Sequence, residues 1–142
     1  MEKKRVLFLC TGNSARSQMA EAFLRSLGGD HFEVYSAGLE PKGINPYTLR
    51  VMAEKGYDMA GHYSKPLEDY MGKVHFSYMI TVCGHADQHC PSVFPGMGQR
   101  LHWNFEDPAA ATGSEAEILS KFREVRDQIE ARIQTWLAEA QA

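Results

Sequence analysis

Apolar positions along the chain follow two alternating rhythms. Arg5 to Cys10 (RVLFLC) is a short unbroken apolar run, as expected of a strand buried on both faces of a parallel sheet. From Ser17 to Leu27 the apolar positions are Ala20, Phe23, Leu24 and Leu27, the i, i+3, i+4, i+7 stripe of a helix packed on one side, and Gly28-Gly29 stops it. Phe32 to Gly38 (FEVYSAG) predicts a second strand. Asn45-Pro46 supplies an N-cap with proline at the first helical position, and that helix is expected to run to about Lys55, with Gly56 at its stop. Gly61 to Lys73 has no clear period; a short helix around Leu67 to Met71 is its most regular piece. Phe76 to Cys83 (FSYMITVC) predicts a third strand and Arg100 to Phe105 (RLHWNF) a fourth. Ser114 and Glu117 then form a capping box before a last helix whose core face is Ile118, Phe122, Val125, Ile129, Ile133 and Leu137.

Strands alternating with helices predict an α/β fold: a single domain over residues 1–142, with a four-stranded parallel sheet and helices on both faces. No repeat, low-complexity tract or linker divides the chain. Sites in such sheets lie beyond the carboxyl ends of the strands, near a switch in strand order, and Cys10 and Cys83 both sit at such ends. Trp103 and Trp136 are expected to serve packing.

Composition narrows the function. A formal charge of −3 lacks the basic excess of a nucleic-acid or membrane-surface binder. The apolar run after the basic amino end is too short for a signal-peptide core, and nothing approaches a membrane span. The expectation is a cytoplasmic protein. Three cysteines, at 10, 83 and 90, are an odd number and do not suggest an extracellular disulfide framework. Free thiols, metal ligands or redox catalysts remain.

Cys10 to Arg16 has the spacing C-x5-R inside LCTGNSARS, between the first strand and the first helix. Gly12 permits a tight path, so the backbone N–H groups of Thr11, Gly12, Asn13, Ser14, Ala15, Arg16 and Ser17 can converge on one anion, aided by the positive end of the helix. Arg16 adds a planar fork for two oxygens. Amides, helix terminus and guanidinium all favour a thiolate, so Cys10 is expected to be an acidic nucleophile aimed at a tetrahedral oxyanion. The plainer alternative is a core cysteine with Arg16 a solvated surface charge.

LCTGNSARSQMAEAFLR resembles the phosphate loop and first helix of the low-molecular-weight protein tyrosine phosphatase superfamily, and especially its arsenate reductase branch. The similarity extends through YSAG (Tyr35–Gly38), TVCG (Thr81–Gly84) and HWNFEDPA (His102–Ala109). The resemblance implies that Asp107, before Pro108, is the general acid. In the phosphatases aromatic residues are expected soon after this Asp-Pro; here Ala109, Ala110 and Ala111 follow. Cys83 and Cys90, in CGHADQHC, match the redox pair of thioredoxin-coupled arsenate reductases. The implied relay starts with Cys10 attacking arsenic(V), proceeds through a Cys10–Cys83 disulfide with release of arsenite, and ends in a Cys83–Cys90 disulfide that thioredoxin reduces. No organic cofactor is implied. If residues 84–90 are helical, the two alpha carbons stand about 10 Å apart, beyond disulfide reach, so this segment is expected to unwind at Gly84 on oxidation.

Several alternatives attach to the same residues. Cys83, His85, His89 and Cys90 are zinc ligand types, but structural zinc sites pair ligands two to four residues apart in separate knuckles, so no metal is assigned. Some relatives hold a monovalent cation through positions matching Asn13, Glu21, Ser36 and an aspartate. Lys65 stands where that aspartate would align, which places the cation in doubt and suggests that the ammonium replaces it as a support of the loop. Relatives also carry a loop cysteine where this chain has Ala15, which the relay does not require. The rivals are a phosphatase acting through a Cys10 phosphocysteine, a non-catalytic oxyanion-binding or redox-sensing module, and a reductase coupled to glutathione and glutaredoxin. A monomer acting on arsenate, with neither nucleic acid nor membrane as partner, is the expectation.

Overall fold

The computed structural model describes residues 3–84 and 97–140. Its sheet has four parallel strands, β1 (Lys4–Cys10), β2 (Phe32–Gly38), β3 (Phe76–Thr81) and β4 (Met97–His102), in the order β2-β1-β3-β4. The chain leaves β1 toward β2 on one side and returns to β3 on the other. The switch in direction therefore falls between β1 and β3, where an open sheet splays to admit a ligand.

Helices flank this sheet. α1 (Arg16–Gly28) lies on the face to which Ser36 points, since Ser36 Oγ donates to Glu21. α3 (Glu115–Ala140) lies on that same face, with Trp136 5.0 Å from Phe32 and 5.2 Å from Tyr78, ring centre to ring centre. α2 (Pro46–Ala53) packs against α3 through Arg126, whose Nη1 donates to Val51 O at 2.9 Å. Side chains alternate along a strand, so Tyr35 points to the opposite face. There it meets Tyr70, which follows the 3-10 turn Leu67–Asp69. One continuous apolar core, with Phe8, Phe23, Phe76 and Phe122 fully enclosed, joins these layers.

The capping box forms as expected: Glu117 N donates to Ser114 Oγ at 3.2 Å, and Ser114 N to Glu117 Oε1 at 3.3 Å. Asn45 caps α2 by accepting from Tyr47 N. Gly56, at φ +84°, ends it, with Gly56 N bound to Ala53 O and Tyr57 N to Met52 O. The short helix expected around Leu67 to Met71 is the 3-10 turn.

Three expectations shift. β4 runs Met97–His102, not Arg100 to Phe105, because the ladder with β3 ends at His102 opposite Thr81 and the chain then turns over the pocket. Trp103 and Phe105 are buried all the same, one 5% and the other 8% exposed; Trp103 N still donates to Thr81 O at 2.8 Å, and beyond it the apolar spacing reflects core packing. β3 ends at Thr81, and Cys83 lies two residues past it. Leu27 is 42% exposed; Met19 joins Ala20, Phe23 and Leu24 in the buried stripe, and the close approach to α3 is made at Gly28, where a methyl would stand 2.8 Å from Leu137 Cδ2. Cys90, His85 and His89, and the segment expected to unwind, lie outside the described residues.

Candidate active site

The loop from Cys10 to Ser17 turns its carbonyls outward. Cys10 O accepts from Leu39 N, Thr11 O from Glu40 N, Gly12 O from Lys42 N and Ser14 O from Asn45 N, at 2.8–3.1 Å. Asn13 O accepts from Ser64 Oγ at 2.7 Å, and Ser14 O also from Thr48 Oγ1 at 3.0 Å. In a trans peptide the following N–H points opposite its carbonyl. The amides of Thr11, Gly12, Asn13, Ser14 and Ala15 thereby face away from those carbonyl partners. Ala15, at the helix N-cap, makes no side-chain cap, so the first N–H groups of α1 stay open to an anion.

Two features hold this loop in its shape. Gly38 packs so closely beneath it that a methyl would lie 2.7 Å from Thr11 O and 2.9 Å from Asn13 N. Asn13 adopts a left-handed backbone, φ +48°, which asparagine tolerates better than most residues. Its buried side chain locks that turn: Nδ2 donates to Ser17 Oγ at 2.8 Å and Ser36 Oγ at 3.0 Å, while Oδ1 accepts from Lys65 N at 2.9 Å and Gln18 Nε2 at 3.1 Å.

Behind Asn13 lies a buried charged cluster. Glu21, 5% exposed, accepts from Ser36 and pairs with Arg25 at 2.6 Å, and Lys65 Nζ stands 3.6 Å from its Oε1. Lys65 is 6% exposed, not a solvated surface lysine; its ammonium donates to Tyr63 O at 2.9 Å and lies over the Tyr63 ring. Burial pushes the Lys65 ammonium below its ordinary range, and Glu21 pulls it back up. His62 Nδ1 meets Gln18 Oε1 at 3.0 Å and stands 3.7 Å from Glu21, and burial lowers its pKa while Glu21 opposes. His62 and Gln18 are absent from the sequence-based site. Gln18 could have been found from its place one helical turn before Glu21; His62 carries no local signal.

Cys10, Cys83, Arg16 and Asp107 meet in one cavity of about 340 Å³ at the switch point. Both cysteines are buried. Cys83 Sγ lies 3.5 Å from Thr11 Oγ1 and lines the same cavity as Cys10. Arg16 Nη2 stands 3.7 Å from Asp107, Nη1 donates to Phe105 O at 3.1 Å, and the buried Nε has no hydrogen-bond partner among the described residues. A buried guanidinium N–H left unmatched costs free energy; a tetrahedral oxyanion in the cradle would satisfy it. Asp107 is half exposed and accepts from Ala109 N, which aims its carboxyl from a turn. A larger open groove of about 810 Å³ lies between α2 and residues 57–64, but no cysteine or arginine lines it.

The acidity expected of Cys10 is not what this arrangement gives. Hydrogen bonding with Cys83 and burial raise its pKa, and Arg16 and the Thr11 amide only partly offset them. Two buried thiols lining one cavity resist both carrying a negative charge, so one holds its proton. Among the described residues no group of three or more His, Cys, Asp or Glu is placed to hold a metal ion, and no described helix is long and apolar enough to cross a membrane.

Residues 5–142 match the model of the low molecular weight phosphotyrosine protein phosphatase family. The chain is 44% identical over 137 residues to an arsenate reductase of Halalkalibacterium halodurans, covering 96% of each protein. Among solved structures it is similar to an arsenate reductase in a phosphate-binding state, with a TM-score of 0.76, 33% identity, and coverage of 96% of this chain and 98% of that one. It is also similar to a thioredoxin-dependent arsenate reductase of Corynebacterium glutamicum, with a TM-score of 0.72, 29% identity, and coverage of 98% of this chain and 62% of that one.

Proposed function

Because the chain belongs to the low molecular weight phosphotyrosine protein phosphatase family, and its relatives at high coverage are arsenate reductases, we propose that it reduces arsenate to arsenite. The observation that carries this reading is that two buried cysteines, Cys10 and Cys83, line one cavity with Arg16 and Asp107. Ester hydrolysis needs one nucleophile; supplying an electron pair to arsenic by forming a disulfide needs two thiols.

The steps are as follows. Arsenate is held by the loop amides and Arg16. The Cys10 proton passes to a basic oxygen of the oxyanion, and the thiolate attacks arsenic(V) while Asp107 protonates the departing hydroxyl, which leaves as water. Cys83 then attacks the Cys10 sulfur, and the electron pair of the sulfur–arsenic bond stays on arsenic, releasing arsenite. Cys90 attacks Cys83, freeing Cys10, and thioredoxin reduces the Cys83–Cys90 disulfide by exchange. Arg16 positions and neutralises the anion. Asn13, Glu21, Ser36 and Lys65 support the loop, with the Lys65 ammonium in place of a monovalent cation. In this reading residues 1–142 act as one cytoplasmic domain, a monomer, using thiols and no organic cofactor; glutaredoxin with glutathione is the alternative reductant.

The test is arsenate-dependent NADPH oxidation with thioredoxin and thioredoxin reductase. Wild type is expected to turn over, and Cys10→Ser, Cys83→Ser and Cys90→Ser each to lose turnover. Hydrolysis of phosphate esters that needs Cys10 alone, without arsenate turnover, would overturn the reductase and leave a phosphatase.

A further inference from the structure

After β2 the chain keeps pace with the catalytic loop for four more residues. Leu39 N binds Cys10 O, Glu40 N binds Thr11 O, and Lys42 N binds Gly12 O at 3.0 Å, before Gly43, at φ +84°, turns the backbone away. This register lays the Lys42 stem directly over Gly12. Its Cγ and Cδ lie 3.7 and 3.6 Å from where a side chain at Gly12 would begin, an ordinary packing distance. Lys42 thereby lines the same cavity as Cys10, Arg16, Cys83 and Asp107. It is exposed, and its ammonium has no acidic partner among the described residues.

Charge balance gives this position a consequence. Among the described residues, the charged side chains lining the cavity are Arg16, Lys42 and Asp107. Arg16 is partly engaged, by Asp107 at 3.7 Å and by the Phe105 carbonyl. A tetrahedral oxyanion near neutral pH carries up to two negative charges, and the amides of the cradle bring only partial positive charge. When Asp107 holds the proton it is to donate, Arg16 and Lys42 together match a dianion; without Lys42, one cation must serve.

We propose that Lys42 is the second cation of the oxyanion site, a specificity residue that meets the outward oxygens of the bound anion and sets affinity for its dianionic form. This rests on the assignment of the Cys10 cavity as the arsenate site. An ammonium at the rim acts on capture and ground-state binding, because the bond changes occur deeper, at Cys10 and Cys83. Its loss therefore raises KM and leaves the chemical steps in place.

Arsenate kinetics and calorimetric binding of inorganic phosphate, on wild type, Lys42→Ala and Lys42→Arg, test this. Lys42→Ala is expected to raise the arsenate KM about tenfold with kcat within twofold, and to weaken phosphate by a similar factor. Lys42→Arg should restore both to within about threefold, and the salt dependence of kcat/KM should be shallower in Lys42→Ala. An unchanged KM and phosphate affinity in Lys42→Ala, or equal losses in Lys42→Ala and Lys42→Arg, would overturn the proposal. Wild type that binds phosphate but does not turn over arsenate would refute the reductase reading, and the phosphate measurements would still decide the role of Lys42.

Discussion

Lys65 has to be judged by what surrounds it. Its ammonium is buried against Glu21, with Arg25 on the other carboxylate oxygen and Asn13 bound to its own backbone N–H. A charge already fixed in this position leaves a dissolved cation little to add. Activity is therefore expected to be the same in potassium, sodium and choline chloride at equal ionic strength. Lys65→Ala should destabilise the fold by about 1–3 kcal/mol, because buried polar groups around Glu21 lose a partner, and should lower turnover through the loop. Activity that rises strongly with potassium alone in the wild type would show that the lysine does not substitute for a cation. The same reasoning governs Asn13, whose four side-chain hydrogen bonds hold a left-handed backbone that the loop cannot do without.

At the scale of elements, α2 and α3 are tied by a charged clasp over an apolar seam. Arg126, 9% exposed, reaches Val51 O and Glu54 Oε1, and Arg123 makes a paired contact with both Glu54 oxygens. Arg123 first, against an opposing desolvation and with Arg126 helping, pulls the Glu54 carboxyl from 4.5 down to about 2. A carboxyl whose pKa is depressed on folding binds fewer protons in the native state than in the unfolded one. Its contribution is thus full above about pH 4.5 and is lost as pH falls through about 2. Denaturant midpoints of wild type and Glu54→Gln are expected to differ most above about pH 5 and to converge toward pH 2. A constant difference across that range would mean that the clasp is not electrostatic. α2 also brings Thr48 to the carbonyl of Ser14, so the clasp bears on the loop as well as on stability.

Across the whole molecule, the loop amides, Arg16 and the two thiols come from segments more than seventy residues apart, and one sheet order brings them together. An anion that binds this assembled cavity binds only the folded chain. Inorganic phosphate at a hundred times its Kd should stabilise by about 2.7 kcal/mol, or raise Tm by about 10 °C at this chain length, and Arg16→Ala should abolish most of the shift. An equal shift in Arg16→Ala would place the anion elsewhere. The sequence by itself determined whatever consecutive residues can write: the apolar run of β1, the stripe of α1, both helix caps, and the C-x5-R loop with its ring of amides. These depend on local periodicity and on the chemistry of neighbours in the chain. Tertiary structure decided what depends on distances across the sheet. It ended β4 at His102 and left Trp103 and Phe105 to the core, joined Lys65, His62 and Gln18 to Glu21, and laid Lys42 over Gly12. It also brought Cys83 into the cavity of Cys10, where that neighbour and the loss of water push the thiol's pKa up against the pull of Arg16 and the Thr11 amide.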